Sequence, residues 1–453
     1  MIRLLISAPA SGCGKTAVAC ALLRVLCERG FSPCAFKCGP DYIDPMFHRA
    51  VLGVESHNLD LFLGDDRQVR TLFARSCRGH GAAVVEGAMG FYDGLGGVST
   101  RAGAWELAVT LALPVLLVLP VRGAGLTLAA QLRGLRDFRP DSRIAGVMLN
   151  ECSSALYRTL APMLERETGL PVLGCLPKLE AARIESRHLG LLTAQEIADL
   201  DGRISQLARA LEENADLPRL LALFDGPAPE SEALPAAGPP RCRIAVARDE
   251  AFCFCYAETL ETLSALGAEP VFFSPLHDAA LPEHIGGLYL PGGYPELHAA
   301  RLSENIPMRT AVARVVQGGL PTVAECGGYL YLTEALFSPE GKRFPMAAVL
   351  PGEAKNTGGL RRFGYAELLA QEDSLLFRAG ERFPVHAFHY WDASVSGSAF
   401  RLEKPLSGRS WCEGCAGKNL YAAFPHLYFA GAPLLAERFV RAAMEYGDKH
   451  EPA

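Results

Sequence analysis

The chain has 453 residues, 49% of them hydrophobic, and a formal net charge of -6; that length supports two buried cores, and an acidic balance without a basic tail argues against nucleic acid as a partner. No stretch reaches the roughly 18 uninterrupted apolar residues of a membrane span, and Met1-Ile-Arg-Leu-Leu-Ile-Ser7 lacks the apolar core of about 7 to 15 residues that a signal peptide needs. A cytoplasmic protein is therefore expected, with its 14 cysteines reduced rather than paired.

In chain order, the first element is a strand from Ile2 to Ser7 that runs through a small-residue loop, Ala8-Pro-Ala-Ser-Gly-Cys-Gly14, into a helix from Ala17 to Leu26. A loop of this kind lets backbone N–H groups around Gly12 and Gly14 approach phosphate oxygens, while the helix dipole and Lys15 supply positive charge and the Thr16 hydroxyl a magnesium ligand. The first glycine of the usual phosphate-loop pattern would fall at Pro9. Next, Ala35-Phe-Lys-Cys-Gly-Pro-Asp-Tyr-Ile-Asp-Pro45 puts Lys37 at a strand end, with Asp41, Tyr42 and Asp44 just beyond. Ala82-Ala-Val-Val-Glu86 is another apolar strand, ending in Glu86, with Asp93 in the loop that follows. Taken singly, each acid reads as a turn former or a surface group. Parallel strands, however, share one carboxyl edge, so together these acids converge on the phosphates as a metal and substrate site, with Glu86 and Thr16 as the magnesium ligands. Apolar strands at Val115 to Leu119, Ile144 to Leu149 and Val172 to Cys175 alternate with helical patterns at Thr127 to Phe138 and Leu156 to Glu167. Uninterrupted apolar strands separated by helices predict a parallel sheet covered on both faces.

From Phe224 to Pro240 the chain is rich in Pro and Ala and can sustain neither helix nor sheet. The reading is a domain at 1–224, a linker at 225–241 and a second α/β domain at 242–448. The second domain opens with Cys242 to Ala247, a helix at Thr259 to Leu266 and a strand at Val271 to Phe273. Gly287-Leu-Tyr-Leu-Pro-Gly-Gly-Tyr-Pro-Glu296 is a strand running into a turn whose N–H groups, at Gly292 and Gly293, form a candidate oxyanion hole. In Leu320-Pro-Thr-Val-Ala-Glu-Cys-Gly-Gly-Tyr329 a buried strand ends in a cysteine followed by two glycines, the pattern of a nucleophile elbow. Cys326 would sit at a helix N-terminus, where amide dipoles favour the thiolate; a structural core cysteine is the alternative. His426 lies in the apolar run Tyr421-Ala-Ala-Phe-Pro-His-Leu-Tyr-Phe429. Cys412 and Cys415 have the spacing of half a zinc site, without an equally well-spaced second pair.

The order of strand, Pro-Gly-Gly turn, Cys elbow and late His resembles the glutamine amidotransferase domain of the triad class, with Cys326 matching the nucleophile and His426 its base. That class carries a Glu two residues past the His; here the position is Tyr428, so a dyad is expected. The whole chain resembles the cobyrinic acid a,c-diamide synthase family, relatives of dethiobiotin synthetase with an appended glutaminase. The resemblance rests on the phosphate loop, Lys37 to Pro45, Glu86 to Gly94, Ser186-Arg-His-Leu-Gly-Leu191, Pro291 to Glu296, Arg362-Phe-Gly-Tyr365, Cys326 and His426. In Val385-His-Ala-Phe-His-Tyr390, Ala387 stands where the family often has Glu.

The resemblance implies ATP- and Mg2+-dependent amidation of a corrin, cobyrinate, through an acyl phosphate, with L-glutamine or ammonia as nitrogen source. Lys37, Asp41, Tyr42, Asp44 and Asp93 would face the corrin carboxylates. Asn150, by likeness to the dethiobiotin synthetases, would read adenine, a capping Asn being the alternative. Other tetrapyrroles, hydrogenobyrinate or nickel-sirohydrochlorin, stay open at this stage. So does a reading of another class, a partitioning-type switch ATPase whose C-terminal half only binds a partner.

Overall fold

The structure is a computed structural model that describes residues 1–182, 186–187, 190–191, 193–230 and 238–450. The chain divides into two compact units, Met1–Ala233 and Leu234–Ala453. In the first unit seven apolar runs form β1 (Ile2–Ser7), β2 (Pro33–Cys38), β3 (His57–Leu59), β4 (Ala82–Glu86), β5 (Val115–Pro120), β6 (Ile144–Asn150) and β7 (Val172–Leu176). They make one sheet in the order β3-β2-β4-β1-β5-β6-β7, every pair parallel. Consecutive residues of a strand are buried because helices cover both faces. Leu5, Val85 and Leu117 pack into one core, and Leu4, Ile6, Val84 and Leu116 into the other. The phosphate loop leaves the central strand, where the chain crosses from one half of the sheet to the other. The helix after it, Lys15–Glu28, is longer at both ends than the apolar pattern alone indicated.

Two short strands, β8 (Ser186–Arg187) and β9 (Gly190–Leu191), pair antiparallel. They belong to the 186–191 motif, of which His188 and Leu189 lie outside the described residues. At the far end of the unit, Asp225 and Gly226 fall in the span read as linker, yet they are bonded to the chain start. The Met1 ammonium donates to Asp225 Oδ1 (2.8 Å) and Gly226 O (2.9 Å), and Ile2 bridges Asp225. Residues 231–237 of that span lie outside the described residues.

The second unit has two sheets. Its strands are β10 (Cys242–Ala247), β11 (Ala268–Phe273), β12 (Gly287–Leu290), β13 (Thr322–Glu325), β14 (Ala335–Phe337), β15 (Arg343–Pro345), β16 (Glu353–Ala370), β17 (Arg382–Ala393), β18 (Phe400–Glu403), β19 (Ser410–Glu413), β20 (Cys415–Gly417) and β21 (Leu420–Ala423). The sheet carrying the candidate site runs β11-β10-β12-β13-β21-β20, parallel except for β20. The other, β15-β14-β16-β18-β19 with β17 on β16, is antiparallel apart from the β14 and β16 pair. This second sheet was not read from the sequence. Its long strand β16 contains Thr357-Gly-Gly359 and Arg361-Arg362, and its pairing with β17 shifts register twice, so it lacks the apolar run or clean alternation that marks a strand.

Candidate active sites

In the first unit the structure gathers the predicted phosphate-site residues at the carboxyl ends of β1, β2 and β4. Gly14 adopts φ 91°, and a Cβ there would stand 2.1 Å from Asn150 Nδ2, so this turn accepts only glycine. Asn150, at the end of β6, donates to Cys13 O (3.0 Å) and so ties the loop to that strand end. Lys15 Nζ links the loop to the one after β4, donating to Ala10 O (3.0 Å) and Met89 O (2.6 Å). Burial, and next the charge of Lys37, lower its pKa from the ordinary lysine value. A Cβ on Gly12 would meet nothing within 4 Å, so the loop is open on that side. The loop carrying Asp93 lies against Pro9, and Asp93 Oδ2 accepts from Gly90 N (3.2 Å) to close it.

Glu86 is the hub of the charged cluster. Its Oε1 accepts from Thr16 Oγ1 (2.7 Å) and Lys37 Nζ (3.1 Å), and its Oε2 lies 2.9 Å from His48 Nε2. Lys37 also pairs with Asp44 and stands 3.9 Å from Asp41 Oδ2. Burial alone would depress the Lys37 ammonium, but the carboxylates of Asp44, Glu86 and Asp41 outweigh it and hold its pKa above the ordinary lysine range. Burial raises Glu86 as well, and Lys37 and His48 overcome that to hold it below the usual carboxylate range. Asp44 is pushed upward by burial and by Asp41 and Glu86. Asp41 has a structural task besides: its Oδ1 accepts from Ile43 N (2.8 Å) and Asp44 N (3.1 Å), starting the helix Ile43–Leu52 directly after Tyr42. His48, on that helix, was missed in the sequence. A histidine four residues past Asp44 on an amphipathic helix carries no local signal, since its contact with Glu86 is tertiary.

In the second unit Cys326 follows β13 with φ 46° and ψ -102°, the strained turn expected of an elbow. Its N–H donates to Ala423 O on β21 (2.8 Å), and its thiol donates to Phe388 O (3.6 Å). The Pro-Gly-Gly turn lies against His426 and against Gly327, the residue after Cys326. A Cβ on Gly292 would lie 2.5 Å from His426 Cε1, and one on Gly327 would lie 3.0 Å from Gly293 N. The expected thiolate is not what the structure supports. The helix after Cys326 has only six residues, Gly327–Leu332, too short for a developed dipole. Burial, followed by the carboxylate of Glu296, pushes the thiol above its ordinary range, with Glu325 and Glu413 adding to it and the Gly327 N–H opposing. These causes favour the thiol over the thiolate at Cys326. Tyr428, where the class has Glu, is buried edge-on against Tyr256. Beside the dyad, His386 and His389 on β17 are driven to about 3, chiefly by burial and then by His426 and the Trp391 carbonyl respectively, the latter raising against the trend.

A profile of the CobB/CobQ-like glutamine amidotransferase domain matches residues 243–433. One of the CobQ/CobB/MinD/ParA nucleotide binding domain matches residues 4–192. The cobyrinate a,c-diamide synthase of Gloeobacter violaceus is 41% identical and aligns over 100% of both chains. The chain belongs to the cobyrinate a,c-diamide synthase family. Further members are the synthases of Salmonella typhimurium, 37% identical over 96% of each chain, and of Dehalococcoides mccartyi, 36% identical over 97% of this chain and 98% of its own. This is a carbon-nitrogen ligase family with a nucleotide-binding half and a glutamine amidotransferase half, and membership removes the switch ATPase reading. All 14 cysteines are free thiols. Among the described residues no group of three or more His, Cys, Asp or Glu is arranged to hold a metal by itself, Cys412 and Cys415 included, and no helix is long and apolar enough to cross a membrane.

Proposed function

We propose that the chain amidates the a and c carboxylates of cobyrinate, using ATP and glutamine, in corrin biosynthesis in the cytoplasm. The observation that carries this reading is the pairing, in one chain aligned end to end with such synthases, of a phosphate loop bonded to an acid hub with a cysteine elbow and a histidine that border one Pro-Gly-Gly turn. We assign the synthase domain to residues 1–224 and the glutaminase domain to 242–448.

A carboxylate is a poor acyl donor, so the first domain transfers the γ-phosphoryl group of ATP to it. Lys15 and the N–H groups of Gly12 and Gly14 neutralise charge on the phosphate oxygens, with Asn150 at the nucleotide. The Thr16 hydroxyl and Glu86 carboxylate, already in contact at 2.7 Å, suit Mg2+, which keeps few protein ligands and offsets phosphate charge when bound. Lys37 orients the substrate carboxylate, with Asp41, Tyr42, Asp44 and Asp93 around it. In the second domain Cys326 attacks the carboxamide carbon of glutamine. Its proton passes through His426 to the departing ammonia, the tetrahedral oxyanion is held by the N–H groups of Gly292 and Gly293, and water hydrolyses the thioester. Ammonia then displaces phosphate from the acyl phosphate. Incubation with cobyrinate, ATP and Mg2+ tests the reading. Amide, phosphate and glutamate should form in equal amounts with glutamine, and amide should also form with ammonium alone. No amide from cobyrinate with either donor, alongside amide from hydrogenobyrinate, would reassign the substrate.

A further inference from the structure

A dyad whose cysteine favours the thiol depends on the basicity and orientation of its histidine, and those are ordinarily supplied by a third group. Position 428, a tyrosine here, offers no carboxylate for that task. The residue directly before the nucleophile does. Glu325 ends β13, opposite Ala423 of β21 in a parallel register, which sets its side chain beside the turn leading to His426. The carboxylate is 1% exposed, and its Oε2 lies 3.7 Å from His426 Nδ1. Oε2 also accepts from Tyr289 Oη (3.1 Å) and Oε1 from Leu427 N (3.1 Å), so both oxygens are fixed and one faces the imidazole. A fully buried carboxylate is a poor device for stability alone. A separation slightly beyond hydrogen-bond length is usual before substrate draws such a site together.

We propose that Glu325 is the positioning carboxylate of the glutaminase site, holding His426 through Nδ1 so that the other ring nitrogen accepts the proton of Cys326. As the sulfur lone pair forms the S–C bond to the glutamine carboxamide, the thiol proton moves to His426 and then to the nitrogen, the C–N bond breaks and ammonia leaves. Glu325 takes no proton; its charge steadies the imidazolium between those two transfers. The proposal rests on the dyad reading of Cys326 and His426.

Glu325→Gln tests it, because the amide keeps the size of the side chain and the acceptor for Leu427 N while removing the charge. Glutamine-dependent kcat should fall about a hundredfold or more, with KM for glutamine changed less than about twofold. Ammonium-dependent amidation, which does not use this site, is the internal reference, and Glu325→Asp should restore part of the loss. Full glutamine-dependent kcat in Glu325→Gln would overturn the proposal and leave Glu325 an anchor for Leu427 and Tyr289. Equal loss with both donors would overturn it too, as a folding effect. Glutamine-dependent activity surviving in Cys326→Ala would instead refute the dyad reading beneath it.

Discussion

In the first unit an ammonium, Lys37, is enclosed by Asp44, Glu86 and Asp41, and its charge persists in spite of burial. In the second, burial wins: it pushes the Cys326 thiol upward and the His386 and His389 rings down to about 3. The contrast fits the chemistry proposed for each site. Phosphoryl transfer is accelerated by fixed charge aimed at oxygens that are anionic throughout, so the field can be built in advance. Thioester formation needs charge only while a proton is moving, and a standing thiolate among Glu296, Glu325 and Glu413 would be costly.

The largest test of the contrast is a pair of substitutions. Lys15→Ala removes standing charge needed whatever the nitrogen source, so amidation should fall about a thousandfold with glutamine and ammonium alike. Cys326→Ala should abolish use of glutamine and leave that of ammonium intact, and product formation with each donor separates the two sites. A smaller effect is expected at the turn between elbow and base. Gly292→Ala would place a methyl 2.5 Å from His426 Cε1, displacing the imidazole; glutamine-dependent turnover should drop about tenfold to a hundredfold, since displacements of an ångström cost that much, without change in the ammonium rate.

Acid should separate the units more gently. His386 and His389 have folded values of about 3 against an ordinary 6.5, so between those limits the unfolded chain binds more protons. Stability of the second unit therefore falls as pH drops, by roughly 1.4 kcal/mol per histidine for each unit below about 6.5. In the first unit Glu86, depressed, loses its contribution only below the usual carboxylate range, and Asp44, raised, acts in the opposite direction. Hydrogen exchange at pH 5 should open the second unit first; simultaneous opening would mean that the neutral histidines do not govern it.

The phosphate loop and the elbow were legible because each is a contiguous strand, glycine turn and helix, and Glu86 and Lys37 because parallel strands must end on one edge. What escaped depends on distance in sequence. His48 meets Glu86 across 38 residues and Glu325 meets Leu427 across 102, contacts set by strand register and helix placement that no local pattern records. The state of the thiol escaped for a related reason: the Cys-Gly-Gly run announces a helix N-terminus, but burial and the three carboxylates around it come from the folded unit.

Cys326 is one of twelve non-glycine residues with positive φ among the described residues, and its φ 46°, ψ -102° geometry is one that only glycine adopts without strain. The proposed nucleophile thus occupies a site where function and stability select different residues. Alanine is ordinarily more stable than glycine in a folded chain by about 0.5 to 1 kcal/mol. Here that order should invert, with Cys326→Gly melting above Cys326→Ala although both are equally inert toward glutamine. An inactive lineage freed from selection for glutaminase activity would be expected to drift toward glycine at this position.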